Sequence, residues 1–402
     1  MSAAITFLPF VFVPPLSPAQ TYAVLHTFKN KTDGTNPLAG LIQDANGNLY
    51  GTTWQGGDLN CRPKFGCGTV FKLDSNNKLT VLHAFAGGTD GSGPSASLLL
   101  DGAGNLYGTT MTGGVGQYGT VFKIDIHGKL SILHSFTAGT DGAFPSSALI
   151  ADRTGNLYGT AINGGAHGYG VVFKVSQSGK LTVLHSFSGG TNDGLNPKSR
   201  LLLDTAGNLY GTTTEGGYMG NDCRVENGCG VVFKLASNGK LTLLYRFTGS
   251  TDGEMPRTAL VEDESGNFYG TTYSAGDRTC DPPFGCGTVF KLSAAGKLTA
   301  LYNFHGEADG AFAAGDLVRD AAGNLYDTTT EGGDLNCGGT FGCGTVFKLD
   351  STGALTVLHT FTGGQDGMSP QAGLFRDAAG TLFGTTGYGG VDERGDVFKF
   401  VP

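Results

Sequence analysis

Eight cysteines fall as four local pairs, Cys61/Cys67, Cys223/Cys229, Cys280/Cys286 and Cys337/Cys343, each with five residues between its members. Such thiols could close small-loop disulfides or ligate a metal. An even count in local pairs reads as four disulfides, and so as an oxidising compartment. Zinc would need four convergent ligands, commonly at the closer C-x2-4-C spacing. Histidine points away from metal as well. His26, His83, His134, His185 and His359 share one recurring position, which Tyr245 and Tyr302 fill elsewhere. A place that accepts tyrosine suits packing with one polar handle better than ligation. His127 falls in a short turn. His167 and His305 lie in long loops, where they are candidates for acid–base work without a recognisable partner motif.

The acids form two sets. Asp44, Asp101, Asp152, Asp204, Asp263, Asp320 and Asp377 each open a tight turn, which fits Asp accepting backbone N–H bonds within it. Asp33, Asp90, Asp141, Asp193, Asp252, Asp309 and Asp366 are each followed by glycine. One carboxylate per repeat is thin for calcium, so turn capping is expected there too. The lysines Lys72, Lys123, Lys174, Lys234, Lys291, Lys348 and Lys399 are expected to pair with Asp between repeats, each pair worth little. No nucleophile, paired-acid, metal or cofactor motif stands apart from these repeated positions.

The elements that must position these residues are written seven times. Asp101-Gly-Ala-Gly-Asn-Leu-Tyr-Gly-Thr-Thr110 has counterparts centred on Tyr50, Tyr158, Tyr210, Tyr269, Tyr326 and Phe383, spaced 51 to 59 residues apart. A period of that size marks an array of one supersecondary unit. In the third unit, Ala148–Asp152, Asn156–Thr160, Gly170–Val175 and Lys180–Phe187 read as strands bounded by turn residues. No 3.6-residue period is sustained, so helix should be nearly absent. Four strands per unit, apolar on both faces, fit a seven-bladed β-propeller of antiparallel blades. The chain opens with a lone fourth strand, Thr21–Phe28, and ends with a lone third strand, Gly395–Phe400. The N-terminal strand should therefore complete the last blade and close the ring. Strand 2–3 loops and blade crossovers are long and should share one face, where binding usually lives.

Glycine supplies 69 of 402 residues, about 17% against a usual ~7%, and recurs at fixed places, so it marks turns rather than a linker. The net charge of −8 and the lack of a basic stripe exclude phosphate-driven nucleic-acid binding. Residues 1–20 carry an apolar run, Ile5–Val13, too short to span a membrane. They read as a secretion signal, with an extended arm as the rival. Residues 21–402 form a single propeller domain.

The combination of GNLYGTT, GTVFKL and GKLTVLHSF resembles the GloVer-type tandem repeat of secreted bacterial proteins from Thr21 onward. The Asp-x-x-Gly-Asn-Leu-Tyr hairpin is similar, more loosely, to repeats of two-component-regulator and virginiamycin B lyase-like propellers. The GloVer resemblance implies export and carries over no catalytic residue. Asp327 in place of the glycine after Tyr326, with Thr381 and Phe383, departs from the pattern.

The leading expectation is a secreted, extracellular or periplasmic module that binds a glycan or protein on the long-loop face. Candidate ligand-binding residues are Trp54, Tyr218, Tyr273, Tyr388, Glu215, Glu331, His167 and His305; Asp277 and Arg278 are neighbouring loop residues. The alternatives are a carbohydrate-active hydrolase or lyase with its site at the ring centre, or a structural subunit that self-associates through residues 5–16.

Overall fold

A computed structural model describes residues 20–402 apart from 30, 63, 221, 225 and 338–340. All but the last residue of the expected signal or arm at 1–20, including the segment 5–16, lies outside the described residues. The described chain is all-β, without a helix. In blade one, Ile42–Gln43, Leu49–Thr53, Thr69–Leu73 and Leu79–Ala84 pair antiparallel in that order. The same order recurs in every blade. In the seventh, Phe375–Arg376, Leu382–Thr386 and Asp396–Val401 receive their outer strand from Thr21–Thr27, with Thr21 opposite Val401 and Thr27 opposite Asp396. The ring is a closed seven-bladed propeller.

Two details differ from the sequence expectation. The innermost strand of blade three is Ile150–Ala151 rather than Ala148–Asp152, and Ala148 lines a central cavity. Thirty-one strands are described rather than 28. The extra ones, Gly194–Leu195, Glu215–Gly216 and Ala311–Ala313, arise where a crossover pairs with the strand 2–3 loop of the same blade. Other blades make the same link as single bridges, such as Thr35 with Gln55 and Ser92 with Thr112. These pairings place both long-loop classes on one face.

Between blades the core is aromatic. Phe28, Phe85, Phe136, Phe187, Phe247, Phe304 and Phe361, each at the end of an outer strand, meet Phe71, Phe122, Phe173, Phe233, Phe290, Phe347 and Phe398 in the third strand of the next blade. Centroids are 5.2 to 5.4 Å apart in edge-on geometry. All are fully buried. Each pair adds about 0.5–1.5 kcal/mol beyond the area it buries.

The repeated acids close turns in both sets. Asp44 Oδ1 accepts the Asn46 and Asn48 amides, while Oδ2 accepts the Asn48 side chain and the Tyr50 hydroxyl. Although burial alone would raise it, these bonds hold the Asp44 carboxyl below the usual range. In the second set Asp90 Oδ2 caps the Ala86 amide at 3.0 Å and meets His83 Nε2 at 3.1 Å. Tyr245 and Tyr302 donate to Asp252 and Asp309 at 3.0 and 2.9 Å. A shared carboxylate partner explains why His and Tyr interchange.

The lysine expectation is corrected. None of the ion pairs among the described residues involves one of the repeated lysines. Lys72, Lys123, Lys174, Lys234 and Lys291 instead lie over the tyrosine directly across the ladder, 5.4 to 5.9 Å from its centroid. Strand register puts Lys72 opposite Tyr50, so the ring face is the neighbour the ladder supplies.

The closing seam carries a buried carboxyl. Asp396 stands where blade one has Thr69, and both are fully buried. Burial pushes its carboxyl up to about 6; the Asp366 charge adds to this, and Thr27, His26 and Thr386 offset part of it. A carboxyl whose folded pKa is raised contributes stability fully present below its unfolded value and lost as pH rises through the folded one. The rise from 3.8 to about 6 corresponds to ~3 kcal/mol. Asp396→Thr is therefore expected to stabilise the ring by up to ~3 kcal/mol at pH 8 and by little at pH 4. Chemical denaturation at both pH values measures this; an equal gain at both would refute the assignment.

Candidate functional site

The crossover into each blade ends with a short run that lines a common cavity on the ring axis. Every blade contributes to this cavity, which has a volume of about 120 Å³. Sevenfold repetition at an axis demands small side chains, because any large one meets six neighbours. Leu38, Ser95, Ser146, Ala314 and Gln371 occupy the first lining position in five blades, and blades four and five place Lys198 and Arg257 there. Two residues on, Gly40, Ser97, Ala148 and Gly373 are replaced in blades four and six by Arg200 and Asp316.

Arg200 Nε donates to Asp316 Oδ2 at 3.1 Å, tying blade four to blade six. Asp316 Oδ1 accepts the Ala259 amide of blade five at 2.7 Å. Arg200 and Asp316 also line a second, more apolar cavity of about 290 Å³ among the innermost strands. The bridge thus forms a floor between an outer cavity on the long-loop side and an inner one.

Above the floor neither Lys198 nor Arg257 makes an ion pair among the described residues. The Arg257 guanidinium carbon lies over the Tyr273 ring, 3.5 Å from its centroid. Burial pushes its guanidinium down from the usual arginine range, and Tyr273 offsets part of this. Lys198 is exposed at the cavity mouth, yet partial desolvation by the surrounding chain lowers its amine, and the Arg257 charge lowers it further. The carboxylate whose charge reaches Lys198 is Glu215, already engaged by Asn196 at 2.6 Å and Asn227 at 3.1 Å.

Asp327 is fully buried behind this layer. At the equivalent Gly51 of blade one, a Cβ would stand 2.6 Å from Phe71 Cζ. Blade six makes room through Gly315, which replaces the Ala39, Ser147 or Thr258 of other blades; a Cβ there would collide with Asp327 Oδ1. Neither Asp327 oxygen makes a well-formed hydrogen bond among the described residues; the Thr328 amide is its one weak polar neighbour. Burial pushes its carboxyl well above the usual range; the Thr328 amide offsets part of this, and the Asp316 charge adds to the rise.

The sequence candidates divide. Trp54 and Tyr273 stand near the axial opening: the Trp54 indole lies against Gly93, where a Cβ would come within 2.8 Å of Nε1, and Tyr273 packs on Arg257 and Phe312. Glu215 belongs to the same neighbourhood through Lys198. Burial raises the Glu331 carboxyl, Asp281 adds to this, and Arg224 offsets part. His305 sits between Asp309, at 2.9 Å from Nδ1, and Asp277, at 3.7 Å from Nε2. Tyr218 and Tyr388 are exposed in the outer loops, as is His167. Sequence reasoning missed Lys198, Arg200, Arg257 and Asp316. The available signal was charge at a position otherwise held by small or neutral residues.

The outer face also carries apolar groups. Leu59, Phe65, Val115, Tyr118, Tyr169, Tyr218, Met219, Leu335, Phe341, Tyr388 and Val391 are exposed, and all lie in strand 2–3 loops; among the described residues only Ile126 is a large exposed hydrophobic elsewhere. The expected disulfides Cys61–Cys67, Cys223–Cys229, Cys280–Cys286 and Cys337–Cys343 pin four of these loops. Among the described residues no cluster of three or more His, Cys, Asp or Glu could hold a metal ion, and no helix is long and apolar enough to cross a membrane.

The profile of the Gloeobacter/Verrucomicrobia repeat matches residues 13–225 and 221–343. No curated protein matches the chain. Among solved structures, the extracellular domain assigned to a hybrid two-component system of B. thetaiotaomicron superposes with a TM-score of 0.58 at 13% identity, over 94% of this chain and 39% of that one. A gluconolactonase from Xanthomonas campestris gives 0.42 at 16% identity, over 74% and 82%. A protein assigned as a 6-phosphogluconolactonase from Bacteroides uniformis gives 0.49 at 16%, over 81% and 84%. At these identities the likeness is one of fold.

Two outcomes test this geometry. Asp327 has a raised pKa, so the stability it carries is present at low pH and lost as pH rises through its folded value. Asp327→Asn should flatten the decline in melting temperature as pH rises above the ordinary carboxylate range, and an unchanged pH profile would exclude the neutral carboxyl. Cys280→Ser with Cys286→Ser should cost about 2 kcal/mol on the loop-entropy model, read from urea denaturation with the propeller retained.

Proposed function

The chain belongs to the Gloeobacter/Verrucomicrobia repeat family, and we propose that it is an exported binding propeller that takes a glycan or protein on its long-loop face. The carrying observation is the confinement of exposed large apolar side chains to strand 2–3 loops, with Ile126 the exception among the described residues. Exposed apolar groups gathered on one face mark interaction sites, whereas scattered ones need no explanation. Disulfides across the loops at Phe65 and Phe341 reduce the ordering cost of binding. Local disulfides also favour an oxidising location, outside the cell or in the periplasm. In this reading residues 1–20 direct export and 21–402 form the binding domain.

Of the carboxylates at the ring centre that hydrolase or lyase chemistry could use, Asp316 has its oxygens engaged by Arg200 and the Ala259 amide, and Asp327 has no exposed surface. Binding needs neither group to be free.

The test is a screen of purified protein against immobilised glycans and extracellular proteins, followed by Phe65→Ser with Phe341→Ser. Each exposed anchor contributes on the order of 1 kcal/mol or more, so affinity for any hit should fall about tenfold or more while the melting temperature holds. A hit that binds the double variant undiminished would overturn the assignment of this face.

A further inference from the structure

The axial cavity has a chemistry of its own. Its two sides differ. Blades two and three present Ser95, Ser97 and Ser146, and blades four and five present Lys198 and Arg257. Ser146 Oγ is buried without a hydrogen-bond partner. The two cations are close enough for Arg257 to depress the Lys198 amine, and neither makes an ion pair among the described residues. Placing like charges together inside a ring costs stability. The floor shows the contrast, since Arg200 is matched by Asp316 at 3.1 Å. The Tyr273 ring holds the Arg257 guanidinium carbon 3.5 Å from its centroid, which restrains the side chain and limits the ordering cost of engaging an anion.

We propose that this cavity is a binding site for an acidic sugar, with the carboxylate held by Lys198 and Arg257 and ring hydroxyls bonded to Ser95, Ser97 and Ser146. Arginine matches a carboxylate in plane and is strongest when both N–H groups engage. The serine hydroxyls donate and accept, as neighbouring sugar hydroxyls require. The volume of about 120 Å³ lies below the ~300 Å³ of a typical ligand pocket. The site therefore takes the carboxylate-bearing end of a terminal residue, and the remaining glycan extends over Trp54 and the apolar loops. The proposal rests on the long-loop face being the binding face and names the ligand class that face takes.

Calorimetry of the full chain with glucuronate, glucose and inorganic phosphate tests it. Glucuronate should bind, weaken as salt is raised, and exceed glucose by tenfold or more. Lys198→Ser with Arg257→Ser, which installs the serine of blades two and three, should abolish that binding at an equal or higher melting temperature. Ser146→Ala should weaken it about threefold. Phe65→Ser with Phe341→Ser should leave it intact, which separates this site from the outer loops. Equal binding of glucose and glucuronate, phosphate binding as tight as glucuronate, or glucuronate binding that survives loss of both cations would each overturn the proposal. If glucuronate fails to bind while the apolar-loop variant still loses a screened partner, the acidic-sugar site falls and the proposed function stands.

Discussion

Each blade has two apolar faces and can bury them only between two neighbours, and the edge-on phenylalanine pairs are where that burial is completed. Phe28 against Phe71 joins the last blade to the first, just as Phe361 against Phe398 joins the sixth to the seventh. No blade has a wet side available, so the array closes or leaves two apolar faces in water. The pairing of Thr21–Thr27 with Asp396–Val401 follows from this, since it also removes the open edges that a linear array would present.

Closure divides the molecule into positions that every blade must share and positions that none must. Strand interiors, the Asp turns and the His or Tyr partner of the second acidic set are shared. The axis and the loop tips are not. At the axis, crowding selects small side chains, and substitutions there reach across the ring. Blade six illustrates the coupling within a single chain: Asp327 replaces a glycine, and Gly315 vacates the space its carboxylate fills. Lys198, Arg200, Arg257 and Asp316 fall in the same arc, blades four to six. The asymmetry of the ring is therefore concentrated in one sector, opposite a sector lined by serine and glycine.

Much of the fold was legible in the residues. The recurrence of Leu-Tyr-Gly-Thr-Thr counted the blades, and the unmatched strands at the two ends specified the closure. Asp44 and its counterparts were readable as turn acceptors, and the C-x5-C pairs as disulfides, because both act within six residues of themselves. The lysines were misread because ladder register, not residue type, sets a neighbour: Tyr50 is directly across from Lys72. His83 and Asp90 are only seven residues apart, yet their contact needs both the bulge between Val70 and Phe71 and the bend of the crossover.

The amino-acid sequence by itself determined the repeating unit, the number of units and the local chemistry of each turn, since those depend on contacts a few residues long. The axial site was decided by tertiary structure alone. Arg200 and Asp316 are 116 residues apart, and nothing local marks either as the other's partner. Only the curvature of a closed ring carries equivalent positions of every blade to one axis. There, charges introduced singly along the chain become neighbours of one another and of the serines across from them.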